Sequence, residues 1–160
     1  MLKSRIENLS QKKLIGYGLQ MSFAANTTHE LWRTFMPRRN EIQAVGGDLY
    51  SVQQYAPDFF DTFNPNTTFK KWAGVEAADI TAVPDGMEQV ILAGGLYAVF
   101  DYKGDARNAA ETFQYILGIW LPQSAYVLDN SRHHFEILGE KYKKGDPDSE
   151  EEIWIPVQQK

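Results

Sequence analysis

The sequence contains no cysteine, which excludes a disulfide framework, a thiolate metal site and a cysteine nucleophile. It also lacks any apolar run near the ~18 residues of a membrane span. Its first residues, MLKSRIENLSQKK, carry charges where a secretory signal would be apolar. A net charge of −5 disfavours nonspecific binding to nucleic acid. We therefore expect a single domain over residues 1–160, in the cytoplasm and away from membranes.

Fingerprints of cofactor and metal sites are also missing. There is no GxSxG motif, and Gly94-Gly95 precedes a predicted strand instead of opening a helix, so it is not a phosphate loop. His29, His133 and His134 do not have the spacing of a metal site with a third ligand. We therefore predict neither a cofactor nor a metal ion.

The sequence is instead rich in aromatic residues and alternates regularly between strand and helix patterns. Nine Phe, eight Tyr and four Trp exceed what a core of this size requires. Helices are predicted from near His29, after the capping candidates Asn26 to Thr28, and from a cap at Asp105 to about Gly118. Residues 1–11 are predicted to form a helical or frayed lead-in. Strands are predicted at Leu14–Phe23, Tyr50–Tyr55, Phe69–Ala77, Gly95–Tyr102, His134–Leu138 and Glu152–Val157.

The two halves of the chain repeat the same pattern. An offset of 85 residues takes Tyr17 to Tyr102 and Leu31 to Ile116, and an offset of 82 takes Trp72 to Trp154 in the last strand. One shift that serves several elements predicts a duplicated strand–helix–strand–strand unit, with repeats at about residues 12–80 and 90–158. The fold class is therefore α+β with pseudo-two-fold symmetry.

The alternation of side chains along the later strands suggests a binding site. Successive residues of a strand point to opposite faces, so Phe135 and Ile137 read as core, and Glu136 lies on the other face with His134 and Leu138. In the last strand the same reasoning separates Ile153 and Ile155 from Glu152 and Trp154. If these strands are neighbours, Glu136 stands among aromatic groups. The first half has Ser51 at the equivalent position, and an acid present in one copy favours a functional role.

A carboxylate among aromatic rings can hold an organic cation, since ring faces attract cations by ~0.5–2 kcal/mol. The same carboxylate could act as a general acid or base if burial raised its pKa. It could also be a solvated side chain or one paired with Lys or Arg. The predicted ligand-binding residues are Glu136, Trp154, Leu138, Trp120, Tyr97, Glu152, His134 and Phe100.

The segments GLYAVFDYKG, WLPQS, HFEIL and EEIWIPV together resemble the GyrI-like family, also called the AraC-type effector-binding domain. The resemblance is specific from about Gly94 to Val157 and looser before that. It implies a concave antiparallel sheet built from two pseudo-symmetric units, with a ligand groove between two helices. By motif, Glu136 matches the buried glutamate of related multidrug-binding regulators and Leu138 its apolar neighbour. Glu152 and Trp154 match the acid and the aromatic residue of the last strand.

Members of this family sense drugs within transcription factors, bind DNA gyrase or hydrolyse reactive cyclopropane-containing natural products. Only about a dozen residues precede the first predicted strand, so we expect no helix-turn-helix and no direct DNA binding. The resemblance implies a stand-alone effector module that binds small amphipathic, aromatic or cationic organic molecules. The alternatives are a hydrolase that uses Glu136 with a hydroxyl such as that of Tyr97, and a protein that acts on a partner such as gyrase or a regulator.

Overall fold

The computed structural model describes residues 2–104, 109–144 and 146–160. Helix α1 is Thr28–Phe35 and continues as a 3₁₀ segment, Met36–Glu41. Helix α2, Ala109–Tyr115, runs through a π-helical segment, Ile116–Trp120, into the short helix α3, Leu121–Gln123. The strands of the described residues are β1 (Lys3–Leu9), β2 (Lys12–Met21), β3 (Leu49–Gln54), β4 (Phe69–Glu76), β5 (Glu88–Leu92), β6 (Gly95–Lys103), β7 (Tyr126–Leu128), β8 (His134–Leu138) and β9 (Glu150–Gln159).

The strands form one sheet in the order β1-β6-β9-β8-β3-β4-β2-β5, with β7 added beside β9, and every pair is antiparallel. Only residues 10–11 join β1 to β2, and only residues 93–94 join β5 to β6, although the joined strands lie near opposite ends of this order. Such a connection spans at most about 10 Å. The two ends of the strand order therefore lie close together. The sheet is strongly curved, and one of its faces lies on the inside of the curve.

The register of the sheet confirms the duplication. The offset of 85 takes Ser51 to Glu136, and these two residues stand directly opposite each other where β3 pairs with β8. Equivalent residues face each other across an antiparallel pair only on the symmetry axis, so the pseudo-two-fold axis passes between them. The same offset relates the register of β1 with β6 to that of β5 with β2. The first strand of each half, β1 or β5, therefore pairs with a strand of the other half.

The offset predicted for the last strand is wrong. Trp72 stands opposite Val52, and the equivalent of Val52, which is Ile137, stands opposite Glu152. Trp72 also stands opposite Gly18, whose equivalent Lys103 stands opposite Glu150. The equivalent of Trp72 is therefore Glu152 by the pairing with β8 and Glu150 by the pairing with β6, and by neither is it Trp154. The segment between β8 and β9 differs in length from the segment between β3 and β4. The observed registers shift the equivalent positions in the last strand by more than the offset of 82 allows, so the two tryptophans are not equivalent.

The six predicted strands form, with ends within two residues of the prediction. The lead-in predicted over residues 1–11 is wrong, because this segment forms β1 and pairs with β6 along its whole length. Strands β5 and β7 were not predicted. Helix α1 begins as predicted, although no side chain caps it at Thr27. The cap predicted at Asp105 lies outside the described residues.

Both faces of the sheet are covered. On the face that carries Glu136, called here the helix face, α1 packs Leu31 and Phe35 over β2 and β4, and Ile116 packs on β6 and β9. The opposite face is the one on the inside of the curve. None of the helices in the described ranges is long and apolar enough to cross a membrane. The core of the opposite face consists of Leu9, Leu14, Tyr50, Val52, Trp72, Val90, Leu92, Tyr97, Val99, Phe135 and Trp154.

Candidate functional site

A strip of polar side chains runs along the middle of the helix face. Because α1 packs over β2 and β4 and the π-helical segment over β6 and β9, strands β3 and β8 form the floor of a groove between them. Polar residues beneath two apolar helices are costly unless they are paired or reached by water. The side chains of this floor are Leu49, Ser51, Gln53, His134, Glu136 and Leu138.

Glu136 lies at the centre of this floor, on the pseudo-two-fold axis. Its side chain is half-buried and shares a hydrogen bond with the side chain of Gln53, whose Nε2 also donates to Ser51 Oγ at 3.1 Å. Burial raises the pKa of Glu136, while the positive charge of Lys71 and the hydrogen bond from Gln53 act in the opposite direction. The axis therefore carries an acid whose ionised form is favoured by one amide and by the charge of one lysine.

A second acid faces the same groove. Glu151 lies two residues from Ile153, which stands opposite Glu136, so the two acids form a diagonal cross-strand pair about 7–8 Å apart. Burial and the charge of Glu136 raise the pKa of Glu151 to about 8, against the influence of Lys71. The Nζ of Lys71 donates to Thr28 Oγ1 at 3.1 Å, and burial lowers the pKa of Lys71. Glu136, Glu151 and Lys71 are called here the acid cluster.

An apolar pocket of about 660 Å³ opens at the end of the groove where β8 begins. One wall comes from the end of β2 and the loop after β3, and the other from α2 and the π-helical segment, a conformation frequent at functional sites. Among the described residues, the charged group in the lining is Lys160, whose Nζ donates to the carbonyl oxygen of Pro122 at 3.1 Å. The lining comprises Phe23, Phe60, Phe63, Ala110, Phe113, Gln114, Leu117, Gly118, Leu121, Pro122, Tyr126, Val127, Leu128 and Lys160.

His134 connects the pocket to the acid cluster. Its ring lies 6.1 Å from that of Phe60 and 4.8 Å from that of Tyr55, and it precedes Glu136 by roughly 7 Å along the same face of β8. Burial lowers the pKa of His134 to about 3, so the ring is neutral at physiological pH, and its Nε2 lies 2.6 Å from Asn130 Oδ1. The path from the aromatic pocket to the acids therefore carries no opposing positive charge from this histidine.

The structure brings only part of the predicted site together. Glu136 shares the helix face with His134 and Leu138, as the alternation predicts. Trp154 stands opposite Phe135 on the other face, where the two rings stack 5.2 Å apart at an interplanar angle of 16°. The predicted grouping of Trp154, Glu152 and Tyr97 with Glu136 is therefore wrong. The indole Nε1 of Trp154 donates to Glu152 at 3.1 Å, and the Tyr97 hydroxyl donates to a main-chain carbonyl at 2.9 Å.

Phe100 and Trp120 lie on the helix face but outside the pocket lining. Their rings meet edge to face at 5.0 Å, and Phe100 is fully buried beneath Ile116.

The sequence-based prediction did not identify Glu151 and Lys71 as residues of the groove. It assigned the apolar residues of β8, Phe135 and Ile137, and those of β9, Ile153 and Ile155, to the same face of the sheet. The sequence did contain a signal for the correct register. Trp154 is a large apolar residue like Phe135, so both can be buried on one face while the isoleucines of β9 are buried on the other, as in a sheet covered on both faces. The phenylalanines of the loop PDFFDTFNPN were a second signal, because a solvent-exposed loop has little need of them.

The sequence model described as the GyrI-like small molecule binding domain matches residues 2–158. The chain belongs to this family. Transcriptional regulator BrlR of Pseudomonas aeruginosa is 28% identical to this GyrI-like chain over 157 residues, which are 98% of the chain and 56% of BrlR. The chain thus spans little more than half the length of the curated relative that it matches.

Solved structures share the GyrI-like fold at low sequence identity. The structure of SAV2435 bound to tetraphenylphosphonium has a TM-score of 0.62 and 17% identity, and the match covers 98% of this chain and 94% of that one. A hydrolase encoded by lin2189 of Listeria innocua has a TM-score of 0.63 and 11% identity, with 98% and 92% covered. The TM-scores establish a common fold, and at these identities they establish the fold alone, since one fold hosts different functions.

Proposed function

We propose that this GyrI-like domain binds an organic cation with a bulky apolar body. The body occupies the pocket between Phe60, Phe63 and Phe113, and the positive charge lies toward Glu136. The observation that carries this proposal is the apolar pocket beside the acid cluster of the groove, which holds two half-buried carboxylates and one lysine. The cationic ligand of SAV2435 supports the same class of molecule for this chain.

The charge of Glu136 and the aromatic walls of the pocket should contribute similar amounts to the free energy of binding. Two unit charges about 5 Å apart interact by about 3 kcal/mol at an effective dielectric constant of about 20. Lys71 opposes part of this attraction. Each ring face presented to the cation adds ~0.5–2 kcal/mol. Removing the charge of Glu136 should therefore weaken binding about tenfold or more, since ~1.4 kcal/mol is a factor of ten in affinity.

Calorimetric titration with tetraphenylphosphonium tests the proposal. Calorimetry suits the site because no tryptophan of the described ranges lines the pocket. We expect saturable binding by the wild type, weaker binding by Glu136→Gln, and unchanged binding by Glu140→Gln, which removes an exposed acid two residues beyond β8. Triphenylphosphine oxide, a neutral molecule with a similar aromatic body, should lose less affinity in Glu136→Gln. Equal binding of tetraphenylphosphonium by all three proteins would contradict the proposal.

The alternative of a hydrolase loses Tyr97, the proton donor that was named as an example for it. Tyr97 lies on the face opposite Glu136 and its hydroxyl is engaged by a main-chain carbonyl, so it cannot protonate a leaving group in the groove. We therefore propose binding as the function, and a hydrolase that uses Glu136 with another hydroxyl stays the alternative. The relationship to BrlR supports a ligand-sensing role for this binding, and the gyrase or regulator partner suggested by the resemblance stays a prediction.

A further inference from the structure

Glu151 is an acid without a hydrogen-bonding partner among the described residues. It is half-buried beside Leu138 on the helix face, yet its carboxyl group makes no hydrogen bond or ion pair with any residue of the described ranges. Glu136, by contrast, has Gln53, and Lys71 is bonded to a hydroxyl of α1. A carboxylate withdrawn from water without a partner is costly, and it is stabilised either by a proton or by a cation.

We propose that Glu151 is the second cation-binding acid of this groove and that a bound organic cation replaces the proton that Glu151 holds in the empty site. In this step the O–H bond of the Glu151 carboxyl group breaks, and the proton passes to solvent. The electron pair stays on the carboxylate, which then faces the positive charge of the ligand. The inference rests on the proposed function and adds to it a second binding residue and the number of protons released per cation bound.

The charges that face Glu151 support this exchange. They come from Glu136 on β8 and Lys71 on β4. The other titratable groups that face Glu151 are neutral phenols: Tyr102, opposite it on β6, and Tyr142 in the loop after β8, and the pKa of Tyr142 is raised by burial and by Glu151. With Glu136 ionised and Lys71 protonated, a protonated Glu151 leaves the acid cluster neutral. A cation that entered without proton release would leave a net positive charge in a recessed site, whereas proton release keeps the cluster neutral.

The same balance predicts how binding depends on pH. Because the pKa of Glu151 is raised to about 8, about nine-tenths of the molecules hold the proton at pH 7. Binding at pH 7 should therefore release close to one proton, and the affinity for a cation should rise by up to tenfold per pH unit between pH 6 and 8. Above pH 9 the release should vanish, because the proton has already left.

The experiment is calorimetric titration of the whole chain with tetraphenylphosphonium in phosphate and in Tris at the same pH. The difference in apparent enthalpy between these buffers reports the protons released. We expect about 0.9 proton per cation for the wild type at pH 7, none for Glu151→Gln, and the wild-type value for Glu150→Gln, which removes the exposed neighbouring acid. Glu151→Gln should also bind with an affinity that no longer rises with pH.

The outcomes separate this inference from the proposed function. Binding of tetraphenylphosphonium by the wild type without proton release at pH 7 would overturn the role of Glu151 and leave the cation groove intact. Proton release that persists in Glu151→Gln would do the same. A wild-type protein that does not bind tetraphenylphosphonium even at pH 9, where Glu151 has largely lost its proton, would overturn the proposed function and this inference with it.

Discussion

Replacing Phe63 with alanine should weaken ligand binding while leaving the fold almost unchanged. The Phe63 side chain is 53% exposed and lines the pocket, and its ring contacts are those with Phe23 at 5.5 Å and Phe59 at 6.3 Å. A phenylalanine side chain offers ~150–250 Å², so a ligand that covers the exposed part buries about 100 Å². At about 25 cal/mol per Å², this burial contributes up to about 2.5 kcal/mol.

The expected result is a 5- to 60-fold loss of affinity for tetraphenylphosphonium, since ~1.4 kcal/mol corresponds to a factor of ten. Titration calorimetry measures it, and urea denaturation should show a change in the free energy of unfolding below ~1 kcal/mol. Ile119→Ala is the matched control, because Ile119 is also 53% exposed and does not line the pocket. The reasoning is refuted if Phe63→Ala binds like the wild type, or if Ile119→Ala loses as much affinity.

Three further predictions concern stability. Phe135→Ala should lower the free energy of unfolding by ~3–5 kcal/mol in urea, because it leaves a cavity at a fully buried ring; a loss below ~1 kcal/mol would contradict this packing. Gly74→Ala should be strongly destabilising, since its Cβ would lie 2.7 Å from the carbonyl oxygen of Ile15, whereas Gly47→Ala, with nothing within 4 Å, should melt like the wild type. His134, with a folded pKa of about 3 against ~6.5 when unfolded, stabilises the fold fully above about pH 6.5. That contribution declines by up to ~1.4 kcal/mol per pH unit as the pH falls toward 3, and denaturation of His134→Gln over the same range should show a shallower decline.

Local patterns were sufficient to predict the duplicated framework. Strand alternation and turn residues are local signals, and β8 was predicted with its observed bounds. The strand β1 was missed because an edge strand owes its conformation to its partner, here β6, and its own sequence is charged at Lys3, Arg5 and Glu7. Such a segment carries no periodic apolar signal from which pairing can be inferred.

The site was only half predictable for a different reason. Alternation within one strand places Glu136 and Leu138 on a common face, but the relation between two strands depends on register, which is a tertiary property. The prediction assumed that Phe135 and Ile153 share the core face, whereas the observed register puts Phe135 beside Trp154. That single step moved Trp154 out of the groove and brought Glu151 into it.

The position of the pseudo-two-fold axis has a consequence for how such a groove could arise. In an assembly of two identical half-chains, the residues at Ser51 and Glu136 would be the same, so these two positions on the axis would hold two carboxylates about 5 Å apart or none. Joining the halves in one chain frees the two positions to diverge. On the proposed function, the resulting asymmetry would give a bound ligand one preferred orientation, whereas a symmetric groove would offer two equal ones.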